Sequence, residues 1–441
     1  MAEINRAVKG TNDILPSEVY KWQFVENRML ETARIFGFNE IRVPVFEHTE
    51  VFKRSVGDTT DVVQKEMYTF DDKGGRSITL RPELTAGVIR SLIEKGLVNG
   101  PLPLKVCYIG GCYRYEKPQA GRLREFHQFG VECVGAAAPN ADAEVIALAR
   151  QVLDSIGIEK IALEINSIGC PECRKKYSEA LKEYFKANID NLCDTCKDRL
   201  ERNPMRILDC KSPVCKEIAA NAPVVLDYLC DGCAEHFTNV KMHLDAAGIE
   251  YTVNPHIVRG LDYYTRTVFE FVSGDIGAQS TVCGGGRYDG LISQMGGQPT
   301  ASLGFAMGIE RLMLVLESQK TELPKQSGCD LFIAQMGEKA ALAATALCND
   351  LRADGFKVQT DICGKGLKAQ MKYADKIGAS FTMVLGDNEL ETEKANLKNM
   401  ENGEITEVSL ENLSEDLFSA VNSSAFDMLA DSILKEQTNE T

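Results

Sequence analysis

Runs of alternating residues follow one another in this chain with no helix between them, and that limits the fold more than any other feature. Residues 67–80 read as a strand, a DDKGG turn and a second strand, and LKVCYIGGCYRYE (104–116) and EFHQFGVECVG (125–135) follow as a further pair. Strands joined by short turns pair antiparallel, because a parallel neighbour needs a crossover of a dozen or more residues. The expectation is an α+β protein with an antiparallel sheet, not a doubly wound parallel one. Later, IVRGLDYYTRTVFEFVS (257–273) gives another β-rich stretch, QSTVCGGGRYDGLIS (279–293) reads as a turn, and LGFAMGIERLMLVLES (303–318) passes from strand into helix.

Helices flank these strands. Trp22, Val25, Met29, Ala33 and Phe36 recur at spacings of three and four, predicting one amphipathic helix from Ser17 to a stop at Gly37. It runs into NEIRVPVFEH (39–48), an alternating strand ended by Pro44. DAEVIALARQVLDSIG (142–157) predicts a second helix stopped by Gly157. The divisions expected are a core in two parts (1–167 and 246–320), an insertion (168–245) and a polar linker (321–328). An α/β module (329–415) with a β-α-β-α-β pattern and a polar tail (416–441) around FDMLADSIL complete the chain.

The insertion concentrates the cysteines. Eight of the chain's 15 lie within 64 residues: Cys170/Cys173, Cys193/Cys196 and Cys230/Cys233 as Cys-x-x-Cys, and Cys210/Cys215 with four residues between. The N-terminus carries scattered charge and no apolar h-region, so no export signal is expected and the cytosol is the default. In that setting, clustered thiols point to metal more than to disulfides, and four pairs make two tetrahedral sets of four thiolates suited to structural Zn²⁺. Reduced, buried thiols without metal are the alternative, and the spacing leaves open which pairs share an ion. No apolar run reaches the ~18 residues a membrane span requires.

With 49 basic and 64 acidic residues, net charge −15, the chain is not a general polyanion binder. Against that background CYRYEKPQAGRLREFHQ (112–128) stands out, with Arg114, Lys117, Arg122 and Arg124 against Glu116 and Glu125. A strand, a Pro/Gly loop and a return strand would hold Arg114 on a rigid platform and the other cations on a mobile tip. Guanidinium forks suit phosphate, although a solvated hairpin has the same composition. Further on come Arg259, Asp262, Tyr263 and Tyr264, then Gly284–Gly286 before Arg287, Tyr288 and Asp289, then Arg311 in an apolar helix. Three glycines in a β context allow a flat ligand close to the backbone.

Taken in this order, the segments resemble the class II aminoacyl-tRNA synthetases, and within them the histidyl-tRNA synthetase family. The helix and strand ending at Pro44 resemble the dimer-forming first motif, Arg114 through Glu132 the second and Gly304 through Arg311 the third. RGLDYY (259–264) and GGGRYDG (284–290) resemble two signatures of the histidine family. The resemblance implies ATP-dependent ligation of L-histidine to its tRNA through a histidyl adenylate, with Mg²⁺ on the nucleotide and a homodimer. It implies Arg114 and Arg259 at the α-phosphate, acting as catalytic groups, and Arg311 at the γ-phosphate. Histidine would meet Glu83, Thr85 and Gln128 at its α-amino group, with Glu132 and Tyr264 at the imidazole and Tyr263 and Tyr288 lining the pocket; Leu84, Arg114 and Arg259 also count among the histidine-binding residues that the resemblance implies. Module 329–415 resembles an anticodon-binding domain, where Lys365, Lys368 and Lys372 on a predicted helix could meet phosphates or simply face solvent. Gln119 and Arg122 mark the loop where an acceptor-stem contact would be sought. A cysteine-rich insertion departs from the family's common pattern. The alternatives from other classes are a synthetase-like regulatory subunit of ATP phosphoribosyltransferase and a non-enzymatic RNA-binding module.

Overall fold

The structure, a computed structural model, describes residues 5–57, 60, 62–208, 210, 212–324 and 328–422. Two compact units divide between Pro324 and Lys325. The first is built on an eight-stranded sheet in the order Asn39–Glu40, Leu104–Tyr113, Glu125–Val134, Ser302–Gly308, Thr281–Arg287, Thr265–Val272, Ala162–Ser167, Thr252–Val253. Its interior pairs are antiparallel, and only the two-residue edge strands pair parallel to their neighbours. Helices Pro16–Ile35 and Pro139–Ser155 cover one face, burying Val25, Met29 and Ala33 against Val145, Ala149 and Val152. Gly37 and Gly157 follow these helices at positive φ (80° and 84°), where a side chain would be strained.

Two expectations are corrected. The run 39–48 is not one strand: Asn39–Glu40 joins the large sheet, while Phe46–His48 joins a separate three-stranded sheet with Ser77–Leu80 and Thr69–Asp71. Pro44 lies in the crossing between them, where no ladder N–H is needed. Residues 281–287, expected as a turn, form an interior strand paired on both sides, so its glycines sit in the middle of the sheet.

Between the strands Ala162–Ser167 and Thr252–Val253 lies the helical insertion: Pro171–Lys186, Asp194–Arg202, Pro213–Ala220 and Asp231–Ala246. It has its own small core of Tyr177, Leu181, Phe185, Leu200 and Ile207, to which Cys196 and Cys215 belong.

The second unit is a five-stranded sheet, ordered Val358–Thr360, Leu331–Gln335, Phe381–Leu385, Lys394–Asn399, Ile405–Ser409. Its first three strands run parallel, with helices Glu338–Ala353 and Leu367–Lys376 as crossovers, and the last two are antiparallel additions. A helical segment from 413 to 422 buries Leu413 and Leu417 in this core, so the packed module runs past 415. The amphipathic stretch at 426–434 lies outside the described residues. No helix among them is long and apolar enough to cross a membrane.

Candidate active site and cysteine centres

A cleft of about 680 Å³ opens on the large sheet, beneath the 114–124 loop and one side of the insertion. Glu83, Thr85, Arg114, Gln128, Glu132, Arg259, Tyr263, Tyr264 and Arg311 all line it, together with Tyr288. Leu84, expected among the histidine-binding residues, does not. Its side chain is buried with Val88, Ile89 and Tyr108, because it begins the helix Thr85–Glu94 whose apolar face packs there. Arg287 also stays out of the cleft: wholly buried, it donates through Nε to both oxygens of Asp142 (3.0 and 2.8 Å) and braces the sheet.

Four guanidinium groups crowd one end of the cleft. Arg114 directly follows the strand Leu104–Tyr113; its Nε donates to the Pro82 carbonyl (2.8 Å) and its guanidinium carbon lies 5.3 Å from the Phe126 ring centre. Arg311, on the third residue of helix Ile309–Gln319, donates to the carbonyls of Gly121 (2.9 Å) and Thr281 (2.6 Å). Burial first, and the charges of Arg114 and Arg122 next, pull Arg311 down to about 10. Arg122 is ion-paired with Glu116. Burial also works against the charge on Arg259, but the facing Glu270 carboxylate outweighs it and holds the guanidinium protonated. Arg259 Nε is buried with no hydrogen-bond partner. Mutually repelling cations and an unanswered buried donor together describe a cradle for a polyanion. At the tip, Gln119 and Arg122 exchange both backbone hydrogen bonds (3.0 and 2.9 Å), closing it as a tight turn.

The other end is acidic and aromatic. Glu132, on the strand Glu125–Val134, is 1 % exposed and accepts from Tyr108 Oη (2.9 Å) and Tyr288 Oη. Burial drives its carboxyl up to about 8, against the opposing pull of Tyr288, Thr85 and Tyr108. The phenols of Tyr108, Tyr263 and Tyr288 are held well above their usual range, first by burial, so they remain donors. Glu83 accepts the N–H groups of Thr85 (2.7 Å) and Ala86 (2.9 Å), capping helix Thr85–Glu94. Cys112 Sγ donates to Gln128 Oε1 (3.3 Å), which fixes that amide beside it. The part Tyr108 plays in holding Glu132 from behind the cleft is not legible in the sequence, since an aromatic in an alternating strand has the signature of core, where its ring indeed lies.

Glycines make the room. A Cβ on Gly304, opposite Glu132, would strike that carboxylate, and one on Gly130 would enter the Tyr108 ring. A Cβ on Gly284 would collide with the Arg259 guanidinium. Gly284→Ala is therefore expected to lower turnover by about 10²-fold through misplacement of that group, with the folded circular dichroism spectrum retained. Unchanged turnover would show that Arg259 has another place to go.

The eight clustered cysteines gather as two sets, Cys170/Cys173/Cys230/Cys233 and Cys193/Cys196/Cys210/Cys215, with the sulfurs of each within 4.8 Å of one another. This settles the pairing that spacing left open. Cys170, Cys193 and Cys230 each immediately precede a helix. Backbone N–H groups point at sulfur: Cys230 N to Cys173 Sγ (3.1 Å) and Cys193 N to Cys215 Sγ (3.3 Å). Burial opposes ionisation of Cys170, but the N–H groups of Cys173 and Glu172 help bring its thiol down to about 7. Cys193 and Cys210 also line the cleft, with Arg199 and Arg206 of the insertion.

In the second unit Lys368 and Lys372 are exposed on helix Leu367–Lys376, whereas Lys365 precedes it in a turn, its N–H bound to Asp361 (2.6 Å).

Comparison with known proteins fits this geometry. A family model described as histidyl-tRNA synthetase matches residues 10–312, and one described as an anticodon binding domain matches 330–418. Histidine–tRNA ligase of Acetivibrio thermocellus is 56 % identical over 410 residues, covering 93 % of this chain and 98 % of that protein. That of Clostridium novyi is also 56 % identical with the same coverage. The crystal structure of apo histidyl-tRNA synthetase from S. aureus superposes with a TM-score of 0.81 at 42 % identity, over 93 % of this chain and 99 % of that one.

Proposed function

Because the chain belongs to the histidyl-tRNA synthetase family, we propose how its own residues carry the family's reaction. The protein ligates histidine to tRNA at the expense of ATP, by way of a histidyl adenylate. The histidine carboxylate attacks the α-phosphorus and pyrophosphate departs. A ribose hydroxyl of the terminal adenosine then takes the acyl group and AMP departs.

The convergence of Arg114, Arg259 and Arg311 with buried Glu132 in one cleft supports the assignment of roles. ATP enters as its Mg²⁺ complex. Arg114 and Arg259 hold the α-phosphate, where negative charge grows in the transition state, and Arg311 holds the γ-phosphate. Each donor set in advance can contribute roughly 3 kcal/mol. Glu83, Thr85 and Gln128 receive the α-amino group, while Glu132 and Tyr264 meet the two imidazole nitrogens, one a donor and one an acceptor. Tyr263 and Tyr288 wall the pocket. Histidine-dependent ATP–pyrophosphate exchange, followed by charging of purified tRNA, tests the whole; exchange supported equally by other amino acids would overturn the histidine pocket.

Three further readings accompany this one. Val45, Phe46 and Phe70, in or beside the three-stranded sheet, are large apolar side chains left exposed, which supports a homodimer through the first motif. Consumption of the product by translation supports a cytoplasmic location. The exposure of Lys368 and Lys372 on helix Leu367–Lys376 supports contact with tRNA phosphates.

The two cysteine sets fit zinc. Each offers four thiols and no open position, so a bound ion would be structural, fixing helix ends and supplying no reaction step. Metal analysis of protein purified without chelator should find about two zinc per chain, one for each set of four thiols. A value near zero would return these cysteines to ordinary reduced thiols.

A further inference from the structure

Asp262 sits between Arg259, assigned to phosphate, and Tyr263 and Tyr264, assigned to the amino acid. The core holds it on one side: its N–H donates to the Val56 carbonyl (3.2 Å), and a Cβ on neighbouring Gly57 (φ 97°) would lie 2.6 Å from Oδ2. On the other side the insertion takes hold of it. Asn203 Nδ2 donates to Oδ1 (3.3 Å), Arg206 Nη2 lies 3.6 Å from the same oxygen, and Arg174 Nη1 donates to the Asp262 carbonyl (3.4 Å). Arg206 also donates to the carbonyl of Gly260 (2.5 Å).

These three residues are not scattered through the insertion. Arg174 directly follows Cys173, a member of one sulfur set. Asn203 and Arg206 fall between Cys196 and Cys210, members of the other. The short turn Pro204–Ile207 that carries Arg206 is tied back by Arg199, whose Nη1 donates to the Arg206 carbonyl (3.1 Å). Ile207 is buried in the same small core as Cys196 and Cys215. Thus each cysteine centre stands within a few residues of a hand laid on 260–262.

We propose that the insertion is a positioning device for the amino-acid pocket: its two cysteine centres, loaded with metal, hold Arg174, Asn203 and Arg206 so that they clasp residues 260–262 and set Tyr263 and Tyr264. This rests on the histidine-pocket and zinc assignments above. Arg206 and Asn203 touch neither substrate in this scheme; they act through the loop. Metal loading and histidine affinity are therefore coupled, while ATP, which Arg114 and Arg311 hold from other elements and Arg259 from just ahead of the clasped residues, is little affected.

Arg206→Ala in the full-length, metal-loaded enzyme tests the clasp. It should raise the histidine KM in pyrophosphate exchange by about tenfold, with the ATP KM within about twofold and the zinc content unchanged. Arg206→Lys should recover part of the loss. An unchanged histidine KM, or equal rises in both KM values, would overturn the proposal. Cys210→Ser tests the coupling: loss of one zinc per chain with the same selective rise in histidine KM supports it. Loss of that zinc with no change in histidine KM overturns it. Retention of both ions would instead overturn the metal assignment, leaving Arg206→Ala to decide the clasp.

Discussion

Glu132→Ala is expected to raise the histidine KM in pyrophosphate exchange by about 100-fold while the ATP KM stays within about twofold. The asymmetry follows from geometry. Glu132 is sealed among Tyr108, Tyr288 and Gly304, at the opposite end of the cleft from the guanidinium cluster. Truncation strips an imidazole nitrogen of its partner, leaves the buried Tyr288 phenol unanswered and leaves Tyr108 only its contact with Thr85 Oγ1 (3.4 Å). Equal shifts in both KM values would refute the assignment of Glu132 to the imidazole.

Glu132→Gln separates recognition from stability. The folded protein holds this carboxyl at about 8, against an ordinary 4.5, so between those values the folded state keeps a proton that the unfolded chain releases. The stabilising contribution of the protonated form is complete below about 4.5 and is lost as pH rises through about 8. A glutamine cannot ionise. The melting temperature of Glu132→Gln relative to the parent should climb across that window and level off above it, while histidine binding weakens. A difference in melting temperature that is flat with pH would show that Glu132 ionises freely in the fold.

The second large effect belongs to Arg259. Arg259→Ala should lower the exchange turnover by about 10²- to 10³-fold with little change in histidine KM, since the group acts where charge grows on the α-phosphoryl oxygens. Glu270 loses its partner in that variant, though Thr281 Oγ1 still donates to it (2.8 Å). Arg259→Lys therefore serves as the companion, restoring charge without the fork; recovery short of the parent would identify guanidinium geometry as the requirement. If the alanine variant lost histidine affinity in proportion to turnover, Arg259 would be a pocket-shaping residue and not a phosphate ligand.

Much of this architecture is legible in the chain because it is local. Helix stops at Gly37 and Gly157 follow from the strain that a side chain bears at positive φ, and the antiparallel sheet follows from strands joined by turns. What escapes is what depends on distant partners. Gly284–Gly286 read as a turn because glycine is usually there to bend the chain. Here Gly284 and Gly285 lie within the ladder, bare because Arg259, Phe269 and Gly304 occupy the space their side chains would fill, and Gly286 stands at φ 153° beside a break in register, facing Thr267 and Val268. Nothing local distinguishes the two. The run 39–48 alternates as one strand, yet each half finds its partner in a different sheet. Cysteine spacing predicts two sets of four but cannot join Cys173 to Cys230 across 57 residues; helix packing does that. Arg206 and Asn203 look like solvated helix-end residues until Asp262 is placed beside them.

The bare strand at the centre of the sheet limits how such an enzyme could be retuned. Specificity is commonly redesigned by enlarging or shrinking the side chains under a bound substrate, but at Gly284 and Gly304, which line the cleft, there are none to change, and adding one meets another part of the protein. Selection for a different amino acid would have to work through the walls, at Glu132 and the tyrosines. A library that diversified these two glycines would return crippled clones, whereas one built on the walls would return altered preferences.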